Sequence, residues 1–341
     1  MKKIWYLFVK MYVRLGFAFY FKKILISGKE NIPRNKAVLF VANHQNALVD
    51  PLLIGAVTPR ELNFLTRADV FNKPLIKALL STVNMMPIYR IKDGRDGLSK
   101  NEEVFQKCYH ILNKNGTVLI FPEGNHNIQR RLRILSKGFT RIILGTLENN
   151  PDQEIVVVPI GINYTNAKKF ASSVHLLYGE PIPVHDDHKD SALNGASSEL
   201  KNEVSQAMKK LITHIENTEH HDKIAAAFKE EEFLHPSKVN EKLLGIDHER
   251  EEKMSDNQQF HLLRPFVLVN SFIPIVIWRA MYPKIVEEEF IATWRFTIGI
   301  TLFPLFYLIQ AGIVAHFFND LTGYIYLAIS FLIVYLFVKS N

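Results

Sequence analysis

The chain has 341 residues, enough for one large domain or two small ones, and 48% of them are hydrophobic. A formal net charge of +7 indicates a surface that meets anions, for which nucleic acid and anionic lipid are the usual candidates. No nucleic-acid-binding motif is present, the long apolar segments favour lipid, and the single cysteine, Cys108, excludes an internal disulfide.

Residues 1–24 have the pattern of an amphipathic helix that lies in a membrane interface. Apolar and mostly aromatic residues recur at spacings of three and four, which places them on one helical face: Trp5, Phe8, Tyr12, Leu15 and Phe19. The opposite face carries Lys3, Lys10 and Arg14. The alternative is a helix packed on the protein's own core, but the aromatic content favours the membrane.

Residues 25–217 alternate between strand-like and helix-like segments. The candidate strands are Ile24–Ser27, Ala37–Ala42, Leu62–Leu65, Thr117–Phe121, Ile155–Ile162 and Val174–Tyr178. The candidate helices lie at about 48–57, 74–82, 99–114, 137–149 and 193–217. Apolar strands interleaved with helices predict an α/β fold, in which a layered sheet is flanked by helices.

Residues 218–260 differ in composition, because Glu, Lys, His and Asp dominate them. This charge pattern predicts a solvated, partly helical connector. His214, His220 and His221 raise the question of a metal site. Since the chain offers no further cysteines and no second ligand cluster, we predict no metal.

Residues 261–341 form an apolar C-terminal region. The stretches 296–318 and 321–338 contain no Asp, Glu, Lys or Arg, and each is long enough to cross a bilayer core of about 30 Å. We therefore predict two transmembrane helices, at about 296–318 and 321–339, which form a hairpin around a short Asn319-Asp320 turn.

Two basic residues, Arg295 and Lys339, flank the outer ends of this hairpin, and its tip has no Lys or Arg. The positive-inside tendency places both ends, and the domain before them, on the cytoplasmic side. The segment 262–282 is apolar but is interrupted by charges and prolines: Arg264, Pro265, Pro274 and Arg279. This pattern fits an interfacial, a re-entrant or a broken membrane segment.

Two polar motifs directly follow strand-like segments. His44 and Asp50 come after the candidate strand that ends at Ala42, and Phe121-Pro122-Glu123-Gly124 comes at the end of another. Open α/β folds place their chemistry at strand ends, so both motifs are candidates for a site. Residues i and i+6 do not share a helical face. A His44–Asp50 pair therefore requires His44 in a turn before the helix, or an extra residue at the helix start.

Together these motifs resemble the glycerophospholipid acyltransferase family, in which four blocks occur in a fixed order. The matching segments are Asn43-His44 with Asp50, Met86-Pro87-Ile88-Tyr89-Arg90, Phe121-Pro122-Glu123-Gly124, and Val156-Val157-Val158-Pro159-Ile160. The resemblance covers about residues 25–185. Five residues separate His44 from Asp50 where most of the family has four, and Asn125-His126-Asn127 replaces the family's Thr-Arg. Both variations resemble the branch that includes fungal glycerol-3-phosphate and dihydroxyacetone-phosphate acyltransferases.

The resemblance implies a role for each motif residue. His44 would be the general base and Asp50 its orienting carboxylate, with no protein nucleophile. Arg90 would bind the phosphate of the acceptor, since a guanidinium grips phosphate bidentately. The further candidates for substrate binding are Glu123, Gly124, His126 and Lys137. The missing third-block arginine has candidate replacements in His126 and in the run Arg130, Arg131 and Arg133.

The implied function is a membrane acyltransferase of phospholipid biosynthesis. It would move a fatty acyl group from a thioester to the hydroxyl of 1-acyl-glycerol 3-phosphate. No cofactor is expected beyond the acyl donor substrate, which is acyl-CoA or acyl-carrier protein, and the partners are membrane lipid and that donor. One alternative keeps this chemistry on glycerol 3-phosphate, dihydroxyacetone phosphate or another lysolipid. Another is a non-enzymatic membrane lipid-binding or scaffold protein.

Overall fold

The computed structural model describes residues 1–90, 95–184, 193–216, 219–244 and 262–341. Within them, eight strands form one sheet: β1 Lys23–Ser27, β2 Ala37–Ala42, β3 Asn63–Arg67, β4 Met85–Ile88, β5 Thr117–Ile120, β6 Ile155–Tyr164, β7 Ser173–Tyr178 and β8 Ile182–Val184. The helices are α1 Lys2–Ala18, α2 Val49–Val57, α3 Pro74–Thr82, α4 Arg95–Leu112, α5 Gly138–Asn149, α6 Leu193–Leu211, α7 His221–Ala226, α8 Pro236–Leu243, α9 Arg264–Asn270, α10 Phe272–Met281, α11 Ile291–Phe317 and α12 Asp320–Ser340. The predicted α/β class, with helices flanking a layered sheet, is confirmed.

The strand order is β1-β7-β6-β2-β5-β3-β4, and β8 pairs with β6 beside β7. The neighbours β6, β2, β5, β3 and β4 are parallel to one another. β7 and β8 run antiparallel to β6, and β1 runs parallel to β7. Five adjacent strands therefore end at one edge of the sheet, and the segments that follow them meet there.

Two short strands, β4 and β8, were not predicted from the sequence. β4 contains Pro87 and pairs with β3 alone among the described strands. Proline is tolerated at such an edge, because its missing N–H is not needed for a second ladder. With four residues and a proline, β4 shows too little alternation to be recognised.

The central strand β2 is buried along its whole length and separates two apolar cores. Successive side chains point to opposite faces of a strand. Accordingly, Val38 and Phe40 join one core with α1 and α2, whereas Leu39 and Val41 join the other with α4, α5 and α6. Cys108 is buried in the second core, and burial raises the pKa of its thiol to about 12.

Helix α1 has two apolar faces. Tyr6, Val13 and Phe17 are buried against the domain. The predicted stripe is largely exposed: Trp5, Phe8, Tyr12 and Leu15 each have about half their surface free. Its last member, Phe19, instead contacts the rings of Phe331 and Tyr335 on α12. Lys10 was expected on the outer polar face but is half-buried, and its ammonium donates to the carbonyl of Thr58.

The region predicted as a solvated connector is partly packed. In its described part, residues 219–244, α7 and α8 enclose an apolar cluster that includes Ile224, Phe228, Phe233 and Val239. The sequence did not predict this cluster, because its apolar residues are widely spaced among charged ones. The rest of the predicted connector, residues 218 and 245–260, lies outside the described residues.

Helices α11 and α12 are long and apolar enough to cross a membrane. They extend the predicted segments, because α11 begins five residues before 296. Asn319 caps α12, and its side chain accepts a hydrogen bond from the backbone N–H of Thr322 at 2.9 Å. The segment 262–282 forms α9 and α10, which bend by 87° at Ser271. A pair bent in this way is either a broken span or a re-entrant loop.

Candidate active site

Asp50 organises the turn that carries His44. Its Oδ2 accepts hydrogen bonds from Nδ1 of His44 at 2.9 Å and from the backbone N–H groups of Gln45 at 2.8 Å and Asn46 at 2.7 Å. Helix α2 begins only at Val49. His44 therefore lies in a turn before the helix, which is one of the two arrangements that the spacing allowed, and this turn accommodates the fifth intervening residue.

Strand β6 supplies the second support of this carboxylate. The Tyr164 hydroxyl, at the end of β6, donates to Oδ1 of Asp50 at 2.6 Å. Burial, and then the Asp50 charge, raise the pKa of Tyr164 well above its usual value, so the phenol stays protonated. Asn43, directly after β2, also binds β6: its side chain donates to the carbonyl of Ile162 and accepts from the N–H of Ile162. Sequence reasoning missed Tyr164, although its position as the last polar residue of a long apolar strand was visible.

The contact with Asp50 determines which nitrogen of His44 is available. An ionised carboxylate only accepts, so Nδ1 donates to it and the neutral ring has its lone pair on Nε2. The imidazole stacks on Phe121 with ring centroids 4.1 Å apart, and its side chain is 13% exposed. His44 is thus held in one orientation with a basic nitrogen available to a bound hydroxyl.

Glu123, from the loop after β5, is held by Arg133. Two nitrogens of this guanidinium donate to Oε2 of Glu123, at 2.8 and 2.5 Å. Burial raises the pKa of Glu123, while the Arg133 charge opposes that rise. Its other oxygen, Oε1, is buried and has no hydrogen-bond partner within the described residues. One oxygen therefore stabilises the loop, and the other can accept from a substrate hydroxyl. Gly124 has a φ of +70°, a conformation that glycine adopts without strain.

His126 lies beside His44 and meets an arginine that the sequence patterns did not single out. The two imidazole centroids are 5.6 Å apart, and Nη1 of Arg67 lies 3.2 Å from Nε2 of His126. Arginine only donates, so Nε2 accepts and the neutral ring has its proton on Nδ1. Burial, reinforced by the charges of His44 and Arg67, lowers the pKa of His126 to about 4. His126 is consequently neutral at pH 7 and does not replace the charge of the family's arginine.

Arg67 and Arg90 share one carboxylate. Arg67 closes β3 and binds Asp69 through Nε at 3.2 Å and Nη2 at 2.5 Å. Arg90 follows β4, and its Nη2 lies 3.4 Å from the same Asp69. Asp69 thus joins two guanidinium groups at the strand-end edge of the sheet. The end of β3 was the available sequence feature that could have pointed to Arg67.

The other basic candidates differ in position. Arg130 donates to the carbonyls of Tyr164 and Thr165 at 2.7 Å and stacks over Phe233. It therefore stabilises the fold and is not part of a solvated face. Lys137 is exposed directly before α5. Within the described residues its side chain makes no hydrogen bond or ion pair with the residues around His44.

Two of the histidines considered for metal binding have structural contacts. His214 and His221 accept hydrogen bonds from the backbone N–H groups of Leu132 and Arg130. A different set offers three ligand atoms within 4.8 Å of one another: His126, Glu287 and Glu289. The Arg67 guanidinium beside His126 repels a cation at that place, so we assign no metal to it.

The site can thus be described by its strand ends. Tyr164 and Arg67 are the last residues of β6 and β3, and the other three residues follow their strands: His44 after β2, Glu123 after β5 and Arg90 after β4. The order of these strands across the sheet is β6-β2-β5-β3-β4. An oriented imidazole base lies between a buried phenol on one side and two guanidinium groups on the other. This arrangement is suited to removing a proton from a hydroxyl on an anionic molecule.

Residues 23–163 match the model of the Acyltransferase family. Among known proteins, it is 36% identical to glycerol-3-phosphate O-acyltransferase 2 of Saccharomyces cerevisiae over 30% of this chain and 14% of the yeast protein. It is 26% identical to 1-acyl-sn-glycerol-3-phosphate acyltransferase LPAT1, chloroplastic, of Arabidopsis thaliana, over 53% of this chain and 49% of the plant protein.

These matches cover less than half the length of either relative. Among solved structures, 1-acyl-sn-glycerophosphate acyltransferase PlsC from Thermotoga maritima aligns with a TM-score of 0.45 at 19% identity. The alignment covers 62% of this chain and 80% of that one.

Proposed function

We propose that this protein is a membrane acyltransferase of phospholipid biosynthesis, which transfers a fatty acyl group from a thioester to the hydroxyl of 1-acyl-glycerol 3-phosphate. The observation that carries the proposal is the His44–Asp50 contact of 2.9 Å, which leaves Nε2 of His44 available as a base. The match of residues 23–163 to the Acyltransferase family model supports the same reaction.

The reaction needs one base and no protein nucleophile. Nε2 of His44 takes the proton of the acceptor hydroxyl as its oxygen attacks the thioester carbonyl. Asp50 stabilises the imidazolium that forms, because its carboxylate remains bonded to Nδ1. The tetrahedral intermediate then expels the thiolate of the donor, acyl-CoA or acyl-carrier protein, and the thiolate takes up the proton from His44. The products are the ester and the free thiol, so the enzyme returns to its starting state.

The two linked arginines support an acceptor that carries a phosphate. Arg90 was the sequence candidate for this role, and Arg67 lies on the other side of Asp69. A guanidinium presents donors in a fixed fork that matches phosphate oxygens. In this proposal the phosphate binds at these arginines. The one free hydroxyl of 1-acyl-glycerol 3-phosphate is the one that His44 deprotonates, so Oε1 of Glu123 would accept only from the second hydroxyl of an acceptor such as glycerol 3-phosphate.

A second acceptor, glycerol 3-phosphate, is favoured by a specific observation. The Phe-Pro-Glu-Gly block continues as Asn125-His126-Asn127, and the chain is 36% identical to a yeast protein named for that acceptor over 105 residues. Both acceptors present a hydroxyl close to a phosphate, so the same base and the same arginines would serve. The two differ in whether the acceptor arrives from the membrane or from water.

The membrane association follows from two surfaces. Helices α11 and α12 are candidate spans, and α1 exposes apolar side chains such as Ile4, Phe8 and Met11 beside the domain. We infer that the domain lies on the cytoplasmic side, because Arg295 and Lys339 flank the hairpin. In that position α1 would lie in the interface and bring the site to the lipid acceptor.

The test is an acceptor panel with one radiolabelled acyl-CoA and the purified full chain in detergent. 1-Acyl-glycerol 3-phosphate should be acylated, and glycerol 3-phosphate, dihydroxyacetone phosphate and an unphosphorylated monoacylglycerol are the comparisons. His44→Ala is the matched inactive variant, and acyl-carrier protein as donor provides a second series. If no acceptor is acylated with either donor, the catalytic proposal is wrong and a lipid-binding or scaffold role remains. If His44→Ala keeps the activity, His44 is not the base and the proposed mechanism is wrong.

A further inference from the structure

The backbone N–H groups that follow His44 are satisfied by two different parts of the chain. Those of Gln45 and Asn46 donate to Asp50. The next two donate to residues at and just before the start of α11: Ala47 to the carbonyl of Glu289 at 3.3 Å, and Leu48 to Oγ1 of Thr293 at 3.0 Å. Leu48 is the N-cap residue of α2, so Ala47 and Leu48 belong to the turn that enters this helix.

Residues 288–295, at the start of the C-terminal region, make further contacts with the domain. The Phe290 ring meets His126 edge to face at 4.9 Å. Glu288 pairs with Lys168 at 3.1 Å, and Nη1 of Arg295 donates to the Lys168 carbonyl at 2.7 Å. The segment 288–295 is thus held between the loop after β6 and the turn after His44.

The first turns of α11 are also part of the domain's core. Ala292 and Phe296 are buried in the cluster that contains α1, α2 and one face of the sheet. Phe296 stacks on Phe17 with centroids 4.3 Å apart. Because these contacts are apolar and tightly packed, α11 cannot move relative to the domain without opening this core.

We propose that Thr293 is a positioning residue of the active site, and that the first candidate span holds the turn of His44 through the Leu48 N–H. The inference rests on the proposed function, because it concerns the same base. Without the hydroxyl, the N–H of Leu48 would lose its acceptor in a part-buried place, and the turn would sample other geometries. The base would then be misplaced relative to the thioester, which lowers the rate of the chemical step more than it weakens binding.

Thr293→Val tests this with little change of shape, because valine replaces the hydroxyl by a methyl group. We expect kcat to fall by about ten-fold, the equivalent of one lost hydrogen bond to a part-buried donor, with the KM for the acceptor nearly unchanged. Thr293→Ser keeps the hydroxyl and should restore most of the rate. Thr297→Val is the matched control, since the Thr297 hydroxyl donates only to the Thr293 carbonyl within α11 in the described contacts.

Hydrogen–deuterium exchange of the same variants gives a readout that does not depend on catalysis. The amides of residues 45–50 should exchange faster in Thr293→Val than in wild type or Thr297→Val. Inactive wild-type protein would contradict the proposed function, while the exchange result would still decide the role of Thr293. Unchanged exchange in Thr293→Val, or an equal loss of kcat in Thr297→Val, would overturn the inference.

Discussion

The Tyr164 hydroxyl donates to Oδ1 of Asp50, whereas His44 binds the other oxygen of the same carboxylate. Asp50 has no exposed surface, and four donors surround its two oxygens: three at Oδ2 and one at Oδ1. Rotation of the carboxylate would break several of these bonds at once. The orientation of His44 is therefore fixed from two strands, β2 through the turn and β6 through Tyr164.

Tyr164→Phe should lower kcat while the fold is kept. The ring still fills its place in the core, but Oδ1 of Asp50 loses a buried donor, so the carboxylate gains freedom to rotate. A hydrogen bond to a charged group contributes about 1.5–3 kcal/mol, which sets a loss of roughly 10- to 150-fold in kcat/KM as the upper range. Tyr178→Phe is the matched control, because that buried hydroxyl contacts Thr58 instead. Equal losses in the two variants would show a general packing effect.

Asp50→Asn should reduce acyl transfer by about 10²- to 10⁴-fold, given the usual contributions of a general base and its orienting carboxylate. The amide keeps the shape of the side chain, but it cannot stabilise the imidazolium, and its NH₂ group opposes any N–H that faces it. Steady-state kinetics, with circular dichroism as a check on folding, measure this effect. A loss smaller than ten-fold would remove Asp50 from the catalytic pair while leaving His44 in place.

Arg67→Ala and Arg90→Ala should each raise the KM for phosphorylated acceptors. Loss of one charge-assisted contact predicts a decrease of about 10- to 150-fold in kcat/KM. Arg90→Lys should also be impaired, because an ammonium does not reproduce the guanidinium fork. An unphosphorylated monoacylglycerol acceptor is the control, and its slow acylation should change little. If the variants lose activity equally on both acceptors, the arginines support the structure and do not bind phosphate.

His126 predicts a specific pH dependence of stability. Its pKa in the folded protein is about 4, below the usual 6.5 of an unfolded chain. Between these values the unfolded state binds a proton at this residue that the folded state does not bind. The free energy of unfolding therefore falls as the pH decreases from 6.5 to 4, by up to about 1.4 kcal/mol per pH unit from this group.

His126→Gln removes this contribution, so its stability should depend less steeply on pH between 6.5 and 4 than that of wild type. Chemical denaturation in detergent at half-unit pH steps measures both slopes. Identical slopes in the two proteins would mean that His126 is not held neutral in the folded state.

The hairpin orientation can be tested with a single new thiol. Asn319→Cys, at the tip between α11 and α12, should react with an impermeant maleimide only from the side opposite the cytoplasm. The native Cys108 has no exposed surface, and its raised pKa keeps it a thiol, so it should contribute little background in folded protein. Labelling from the cytoplasmic side alone would reverse the topology.

The fold class and the His44–Asp50 contact were predictable because both depend on local order along the chain. β2 is apolar at every position and the motif follows it directly, so the strand end locates the base. The extra residue between His44 and Asp50 was also compatible with their contact, since a turn can accommodate an additional residue that would move a side chain off a helix face.

Contacts between distant segments were not predictable from one sequence. Tyr164, Arg67 and Thr293 reach the site from β6, β3 and α11, and no spacing rule connects them to His44. Helix α1 illustrates a second difficulty. Both of its long faces are apolar, so the periodicity identified four exposed members of the outer stripe, but it could not show that Phe19 packs on α12 or that Lys10 packs against the domain.

The contact between Leu48 and Thr293 cannot form until late in the synthesis of the chain. The two residues are 245 positions apart, so roughly 12–50 s of translation separate them at about 5–20 residues per second. Throughout that interval the nascent domain has the His44 turn but lacks the threonine that accepts from it and the Phe296 ring that completes its core. The turn reaches its final form only when α11 has emerged and has docked on the domain. Under the proposed function, this order delays acyl transfer until α11 has docked on the domain.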